Sequence, residues 1–174
     1  KGMRALGAEI EIEHGYVVAR AKKLTGCDIY LDIASVGATG NIMMAAVAAQ
    51  GTTRIQNAAQ EPEIPALADY LNRMGARIQG GGTNEITIEG GLALRPAPYT
   101  IIPDRIEVGT YLIAGAMTGG DVTIRGGDAS HLRAAIGKLH QVGAVVEETD
   151  GSLRVRGPEK LKPAEILTDY YPGY

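Results

Sequence analysis

Tryptophan and phenylalanine are absent from this 174-residue sequence, and cysteine occurs once, as Cys27. Without the two large apolar rings, the core must be built from aliphatic and alanine side chains, with the 8 tyrosines as the only aromatics. A single cysteine excludes an internal disulfide, and no second Cys or His stands at metal-ligand spacing, so no zinc site and no metal are expected. Cys27 is read as structural. Apolar runs are short: the longest, around Ile42 to Ala49, falls well below the ~20 residues of a bilayer span. No basic-plus-apolar signal segment opens the chain. Positive charge is also scarce, with 17 Lys and Arg against 20 Asp and Glu and a net charge of -3, which excludes a concentrated basic face for phosphate backbones. A reducing cytoplasm is therefore expected, with neither nucleic acid nor membrane as partner. Catalytic signatures are missing too. There is no Ser-His-Asp grouping, and Gly80-Gly81-Gly82-Thr83-Asn84 lacks the helix that must follow a phosphate-binding loop, so it is read as a turn. His14, His131 and His140 fall beside a turn or on polar helix faces and are assigned no catalytic role.

Glycine, in contrast, is abundant, at 24 residues, and its placement is periodic. Leu6-Gly7-Ala8, Met74-Gly75-Ala76 and Val142-Gly143-Ala144 recur at a fixed interval, from 7 to 75 and from 75 to 143, 68 residues each. The second and third glycines close amphipathic patterns, Ile64, Leu67, Ala68, Leu71 and Leu132, Ile136, Leu139, whose spacing predicts helices. Lys1 to Leu6 read as the last turns of another helix. Glycine suits the position past a helix end because it accepts the left-handed conformation there.

A second landmark keeps the rhythm. Asp32-Ile33-Ala34-Ser35-Val36-Gly37 is similar to Asp104-Arg105-Ile106-Glu107-Val108-Gly109, each preceded by an extended run (Ile29 to Ile33, Tyr99 to Ile102). Each leads into an alanine-rich helix, Gly37 to Ala49 and Gly109 to Thr118, and then through glycine into a strand, Thr52 to Gln56 and Val122 to Arg125. The predicted unit is strand, helix, strand, helix, strand, strand, an α/β repeat. A third unit is expected to begin with Leu153-Arg154-Val155-Arg156-Gly157. Such units cannot bury their apolar faces alone and should pack on neighbours. Arg95-Pro96-Ala97-Pro98 disfavours helix and central strand, so a boundary is expected near residues 95 to 103.

Three short segments could carry chemistry. Ser35-Val36-Gly37 opens a helix, where unpaired backbone N–H groups and the dipole favour an anion. From residue type alone Ser35 reads first as an ordinary N-cap, the commonest role for serine in that place. Asn57-Ala58-Ala59-Gln60-Glu61-Pro62-Glu63 places two carboxylates where a helix starts, either as dipole complements or facing a cleft. Asp104 and Arg105 stand at the matching place in the next unit, to stitch subdomains together or to hold a polar substrate.

Leu31-Asp32-Ile33-Ala34-Ser35-Val36-Gly37-Ala38-Thr39, Asn57 to Ile64, and Pro103-Asp104-Arg105-Ile106-Glu107-Val108-Gly109-Thr110 together resemble the UDP-N-acetylglucosamine 1-carboxyvinyltransferase family over essentially the whole chain. The resemblance implies tandem βαβαββ repeats of an inside-out α/β barrel, here an incomplete set. Residues 1–101 would be the later part of a catalytic first domain and 102–174 the opening part of the second. It implies transfer of the enolpyruvyl group of phosphoenolpyruvate to the 3-hydroxyl of UDP-N-acetylglucosamine, for peptidoglycan synthesis, with no cofactor. Ile33, Ala34, Ser35, Val36 and Gly37 would bind the UDP-sugar, chiefly through its diphosphate. Some relatives carry a basic residue where this chain has Ile33. Glu61, Glu63, Asp104 and Arg105 match positions that line or brace the cleft between domains. The family's cysteine loop and its phosphoenolpyruvate-binding Lys and Arg have no match, and Cys27 does not match the catalytic cysteine. No catalytic residue is therefore assigned, and the chain alone is expected to be inactive and to self-associate through uncovered apolar helices. The other readings are a relative of enolpyruvylshikimate-phosphate synthase and a non-catalytic repeat module.

Overall fold

Three helices end in the same way at the repeat interval. In the computed structural model, which describes residues 1–169 and 171, these are α1 (Gly2–Ala5), α3 (Glu63–Arg73) and α5 (Arg133–Gln141). Past each end, Gly7, Gly75 and Gly143 take φ of 99°, 106° and 96°, a region closed to most L side chains. The residue after each glycine then donates its N–H back across the last turn: Ala8 to the Met3 carbonyl at 2.9 Å, Ala76 to Leu71 at 3.0 Å and Ala144 to Leu139 at 2.9 Å. Each cap feeds an antiparallel hairpin. These are β1 (Glu9–Glu13) with β2 (Tyr16–Arg20), β5 (Arg77–Gln79) with β6 (Glu85–Gly90), and β8 (Val145–Thr149) with β9 (Ser152–Arg156). The β5–β6 turn contains Gly80, Gly81 and Gly82, as the missing helix after them predicted.

The chain divides into two compact units, Lys1–Thr100 and Ile101 onward. The first holds one complete βαβαββ run: β3 (Asp28–Tyr30), α2 (Val36–Ala48), β4 (Gly51–Gln56), α3, β5 and β6. Its sheet has the order β3-β4-β6-β5, with β3 parallel to β4 and the other pairs antiparallel. Side chains alternate. Ile29, Ile55, Ile78, Ile86 and Ile88 enter a core with Met43, Ala46 and Val47 of α2 and Ile64, Ala68 and Leu71 of α3, while Asp28, Tyr30, Arg54 and Glu89 face solvent.

The second unit runs α4 (Arg105–Met117), β7 (Asp121–Arg125), a 3-10 turn at Ala129–Leu132, then α5, β8 and β9, with sheet order β7-β9-β8. Its core joins Val108, Leu112 and Ala116 of α4 to Leu132, Ala135, Leu139, Leu153 and Val155. The same closure recurs in both units. A Cβ on Gly90, at the end of β6, would stand 2.2 Å from the Ala49 carbonyl oxygen, and one on Gly157, just past β9, 2.7 Å from that of Ala116. In each case, the end of the central hairpin strand lies directly on the last carbonyls of the alanine-rich helix.

Three expectations need correction. Leu153–Arg156 does not open a third unit: it lies in β9, the central strand of the second sheet, paired on one side with β7 and on the other with β8. Tyr99–Ile102 forms no strand, so the second unit lacks a counterpart of β3 among the described residues. The helix expected from Gly109 starts at Arg105, because Asp104 supplies a side-chain cap one turn earlier.

Candidate functional site

Parallel pairing places the carboxyl ends of β3 and β4 side by side, and each runs through a loop into a helix, β3 into α2 and β4 into α3. In open α/β sheets this edge is where ligands are held. The two loops are tied together by three hydrogen bonds. Leu31 N–H donates to the Gln56 carbonyl at 3.0 Å, Asn57 Nδ2 donates to the Leu31 carbonyl at 2.8 Å, and Ala59 N–H donates to Thr39 Oγ1 at 3.0 Å. Asn57 reaches its partner with φ of 56°, a left-handed conformation that asparagine tolerates better than most residues. Thr39 and Ala59 are buried, so their bond is held away from water.

On that scaffold, Ser35 is the N-cap of α2, with its Oγ accepting from Ala38 N–H at 3.2 Å. The cap reading is therefore correct, and it leaves the hydroxyl hydrogen available to a ligand. By helix geometry the N–H groups of Val36 and Gly37 have no partner within α2, and no acidic residue occupies its first turn. Nothing lies within 4 Å of where a Cβ on Gly37 would be, so the approach to these donors is open. Ile33 is 59% exposed beside them, Ala34 is half-buried, and Asp32 is engaged by Lys1 Nζ at 2.7 Å.

The four acidic and basic candidates are distributed across both units. Glu63 lies in the first turn of α3 and is exposed; Glu61 is half-buried and precedes the helix, its carbonyl accepting from Ile64 N–H at 2.8 Å. Only one of the two carboxylates expected in the first turn is thus there, because Pro62 stands as the N-cap between them. In the second unit, Asp104 caps α4 through Oδ1, which accepts from Ile106 N–H at 2.8 Å and Glu107 N–H at 3.3 Å. Arg105 is half-buried, with its guanidinium 5.3 Å from the centre of the Tyr171 ring.

Sequence reading passed over Thr39 and Asn57 as functional supports, although both stand inside motifs it singled out. The one signal available was asparagine at a strand end, a residue suited to positive φ. Cys27 is half-buried, its thiol donating to the Ala5 carbonyl at 3.3 Å; burial, and then Asp28, push its pKa up, which suits an inert structural thiol. His140 Nε2 accepts from Val146 N–H at 3.4 Å, at the edge of a hydrogen bond. Among the described residues no group of His, Cys, Asp and Glu could hold a metal ion, and no helix is long and apolar enough to cross a membrane.

The model of the family described as EPSP synthase (3-phosphoshikimate 1-carboxyvinyltransferase) matches residues 1–172. UDP-N-acetylglucosamine 1-carboxyvinyltransferase 1 of Caldanaerobacter subterraneus subsp. tengcongensis is 56% identical over all 174 residues, which cover 42% of that protein. A protein of the same name from Halalkalibacterium halodurans is 53% identical over the whole chain, which covers 40% of it. Among solved structures, the enolpyruvyl transferase NikO from Streptomyces tendae matches with a TM-score of 0.85 and 25% identity, over 99% of this chain and 44% of its own. EPSP synthase from Acinetobacter baumannii matches with a TM-score of 0.66 and 24% identity, over 95% of this chain and 40% of its own, a likeness of fold. The chain thus spans less than half the length of the relatives it matches.

Proposed function

Because the chain belongs to the EPSP synthase (3-phosphoshikimate 1-carboxyvinyltransferase) family, we propose that it forms one wall of the nucleotide-sugar site of a UDP-N-acetylglucosamine enolpyruvyl transferase. The observation that carries this reading is the start of α2, where unpaired N–H groups, the Ser35 hydroxyl and the open approach over Gly37 converge on one edge. A diphosphate suits that edge. Its oxygens would accept from Val36 and Gly37 N–H and from the Ser35 hydroxyl, while Ile33 and Ala34 present backbone and an apolar surface alongside. Ile33 brings no charge, so binding at this end rests on the backbone. Glu61 and Glu63 brace the α3 side of the same edge, and Asp104 and Arg105, at the start of α4, take a support role in the whole protein. The relatives' name supports UDP-N-acetylglucosamine over shikimate phosphate as the acceptor.

The reaction proposed for the whole protein joins the sugar 3-hydroxyl oxygen to C2 of phosphoenolpyruvate. The hydroxyl proton passes to a base as C3 takes a proton from an acid, giving a tetrahedral adduct; phosphate then leaves C2 as C3 gives up a proton and the double bond is restored. Such a sequence needs an acid, a base and cations around the phosphate. The chain's own edge supplies backbone donors for the nucleotide and not that set, so the chain alone is inactive. A cytoplasmic place, at the entry to peptidoglycan synthesis, follows from the same reading. Self-association belongs with it: Tyr111 and Met117 of α4 and Met44 of α2 are exposed on helices whose opposite faces are buried.

The test is calorimetric titration of UDP-N-acetylglucosamine into the full-length protein that contains this chain, with and without Ser35→Ala. About tenfold weaker binding in the variant is expected. Equal affinity would remove the diphosphate from this helix start. Phosphate release by the 174-residue chain supplied with both substrates would overturn its inactivity.

A further inference from the structure

Each helix that ends at a repeat glycine carries, three residues before that glycine, a polar side chain that reaches forward to the strand which follows. From α1, Arg4 Nη2 donates to the Ile10 carbonyl of β1 at 2.9 Å. From α3, Asn72 Nδ2 donates to the Ile78 carbonyl of β5 at 2.9 Å, and its Oδ1 accepts from Ile78 N–H at 2.8 Å. From α5, His140 Nε2 accepts from Val146 N–H of β8 at 3.4 Å. Positions 4, 72 and 140 are 68 residues apart in each step, and so are their partners 10, 78 and 146.

The three strands share a place in their sheets. β5 ends the order β3-β4-β6-β5, β8 ends β7-β9-β8, and β1 pairs with β2 alone among the described residues. In an antiparallel ladder the N–H and C=O of one residue point to the same side, and successive residues alternate toward the partner strand and away from it. Ile78 is the middle residue of β5, between Arg77 and Gln79, so its backbone groups are the ones that this short strand turns away from β6. The Asn72 amide takes both, since it is itself one peptide-like donor and one peptide-like acceptor. A side chain thus closes the edge where another strand would pair. Arg4 and His140 each hold half of such a pair, as their chemistry dictates. A guanidinium only donates and takes the carbonyl; a neutral imidazole accepts at Nε2 and takes the N–H.

We propose that Arg4, Asn72 and His140 are edge latches, which keep the first strand of each hairpin from pairing with a further strand, and that the latch at His140 opens when its imidazole is protonated. An imidazolium carries hydrogen on both nitrogens and has no lone pair left for Val146 N–H. Histidine changes charge between about pH 5 and 8, and His140 is exposed, so solvent protons reach it. Charged groups around this end of α5 are Lys138, with Nζ on the Glu165 carbonyl, Lys162, whose N–H donates to the Val142 carbonyl, and Glu148, on the same face of β8 as Val146. Asp128, His131 and Arg133 lie at the opposite end of α5, and the charges of α4, Arg105 and Glu107, in its first turn. Asn72 does not titrate. The β5 edge therefore stays closed over the pH range in which the β8 edge responds.

Amide hydrogen exchange resolved to single residues, on the full-length protein that contains this chain, reads both parts. Asn72→Leu should speed exchange at Ile78 at least about tenfold while amides of β4 and β6 keep their rates. In sedimentation it should also self-associate beyond the unsubstituted protein. Between about pH 7.5 and about pH 5.5, exchange at Val146, corrected for the intrinsic pH dependence of amides, should rise at least about threefold in the unsubstituted protein and stay flat in His140→Asn. Asn72→His should bring the same pH response to Ile78. Unchanged Ile78 exchange in Asn72→Leu would overturn the latch, and an Asn72→Leu protein that associates no more than the unsubstituted one would overturn its guarding role. If Asn72→Leu does not fold, Asn72→His decides the same point, a flat Ile78 profile overturning the latch. A Val146 response that is absent, or that survives in His140→Asn, would overturn release by protonation.

Discussion

The hydroxyl of Ser35 and the carboxylate of Asp104 do the same job at the starts of α2 and α4, accepting N–H groups that the helix cannot satisfy. Ser35→Ala should therefore lower the stability of the chain by about 1 kcal/mol in denaturant unfolding, apart from any effect on ligand. Thr39→Val keeps the shape but strands the buried Ala59 N–H, and should cost about 1–3 kcal/mol by the same measurement. Asp128 caps the turn before α5, and the Ser130 side chain and backbone hydrogen bonds, with His131 and Arg133 nearby, hold its carboxyl below the usual carboxylate range. A depressed folded-state pKa contributes stability that is present above the unfolded value, about 3.9, and is lost as pH falls through the folded one. Asp128→Asn can still cap but cannot titrate, so its melting temperature should approach that of the wild type as pH drops below about 4. Caps and helix-closing glycines were legible because their partners lie within a few residues. Asn57 and Thr39 were not, because their partners Leu31 and Ala59 are 26 and 20 residues away and only the parallel pairing of β3 with β4 brings them close.

Elements repeat more faithfully than residues do. Gly90 and Gly157 share no motif that the sequence displays, yet both let a strand end rest on helix carbonyls, of Ala49 and Ala116. Gly90→Ala must push β6 away from α2, and an overpacking cost of about 1–3 kcal/mol is expected, with the change centred on amide exchange in those two elements. The order strand, helix, strand, helix, strand, strand was readable because periodicity and glycine punctuation are local signals. The fate of Leu153–Arg156 was not, since an apolar alternation in one strand says nothing about which partners flank it. The early start of α4 has a simple cause: Asp104 follows Pro103, which cannot donate a ladder N–H, and supplies its own cap.

At the scale of the whole chain, residues 91–104 are a stretch with neither helix nor strand, largely exposed, between two cores that share no member. It is attached to α3 by Arg95 N–H to the Met74 carbonyl at 2.8 Å and by Tyr99, which lies 5.2 Å from the Tyr70 ring and beneath Arg73. Brief proteolysis should cut between Pro96 and Asp104 and leave two fragments that resist further digestion; cleavage starting inside β4 or β9 would contradict it. The first core draws its buried members from Leu6 to Ile88 and the second from Val108 to Val155. A chain built this way need not wait for its own completion. As it leaves the ribosome, the first core can close while the second is still being translated, so the nascent protein carries one folded unit before the next exists.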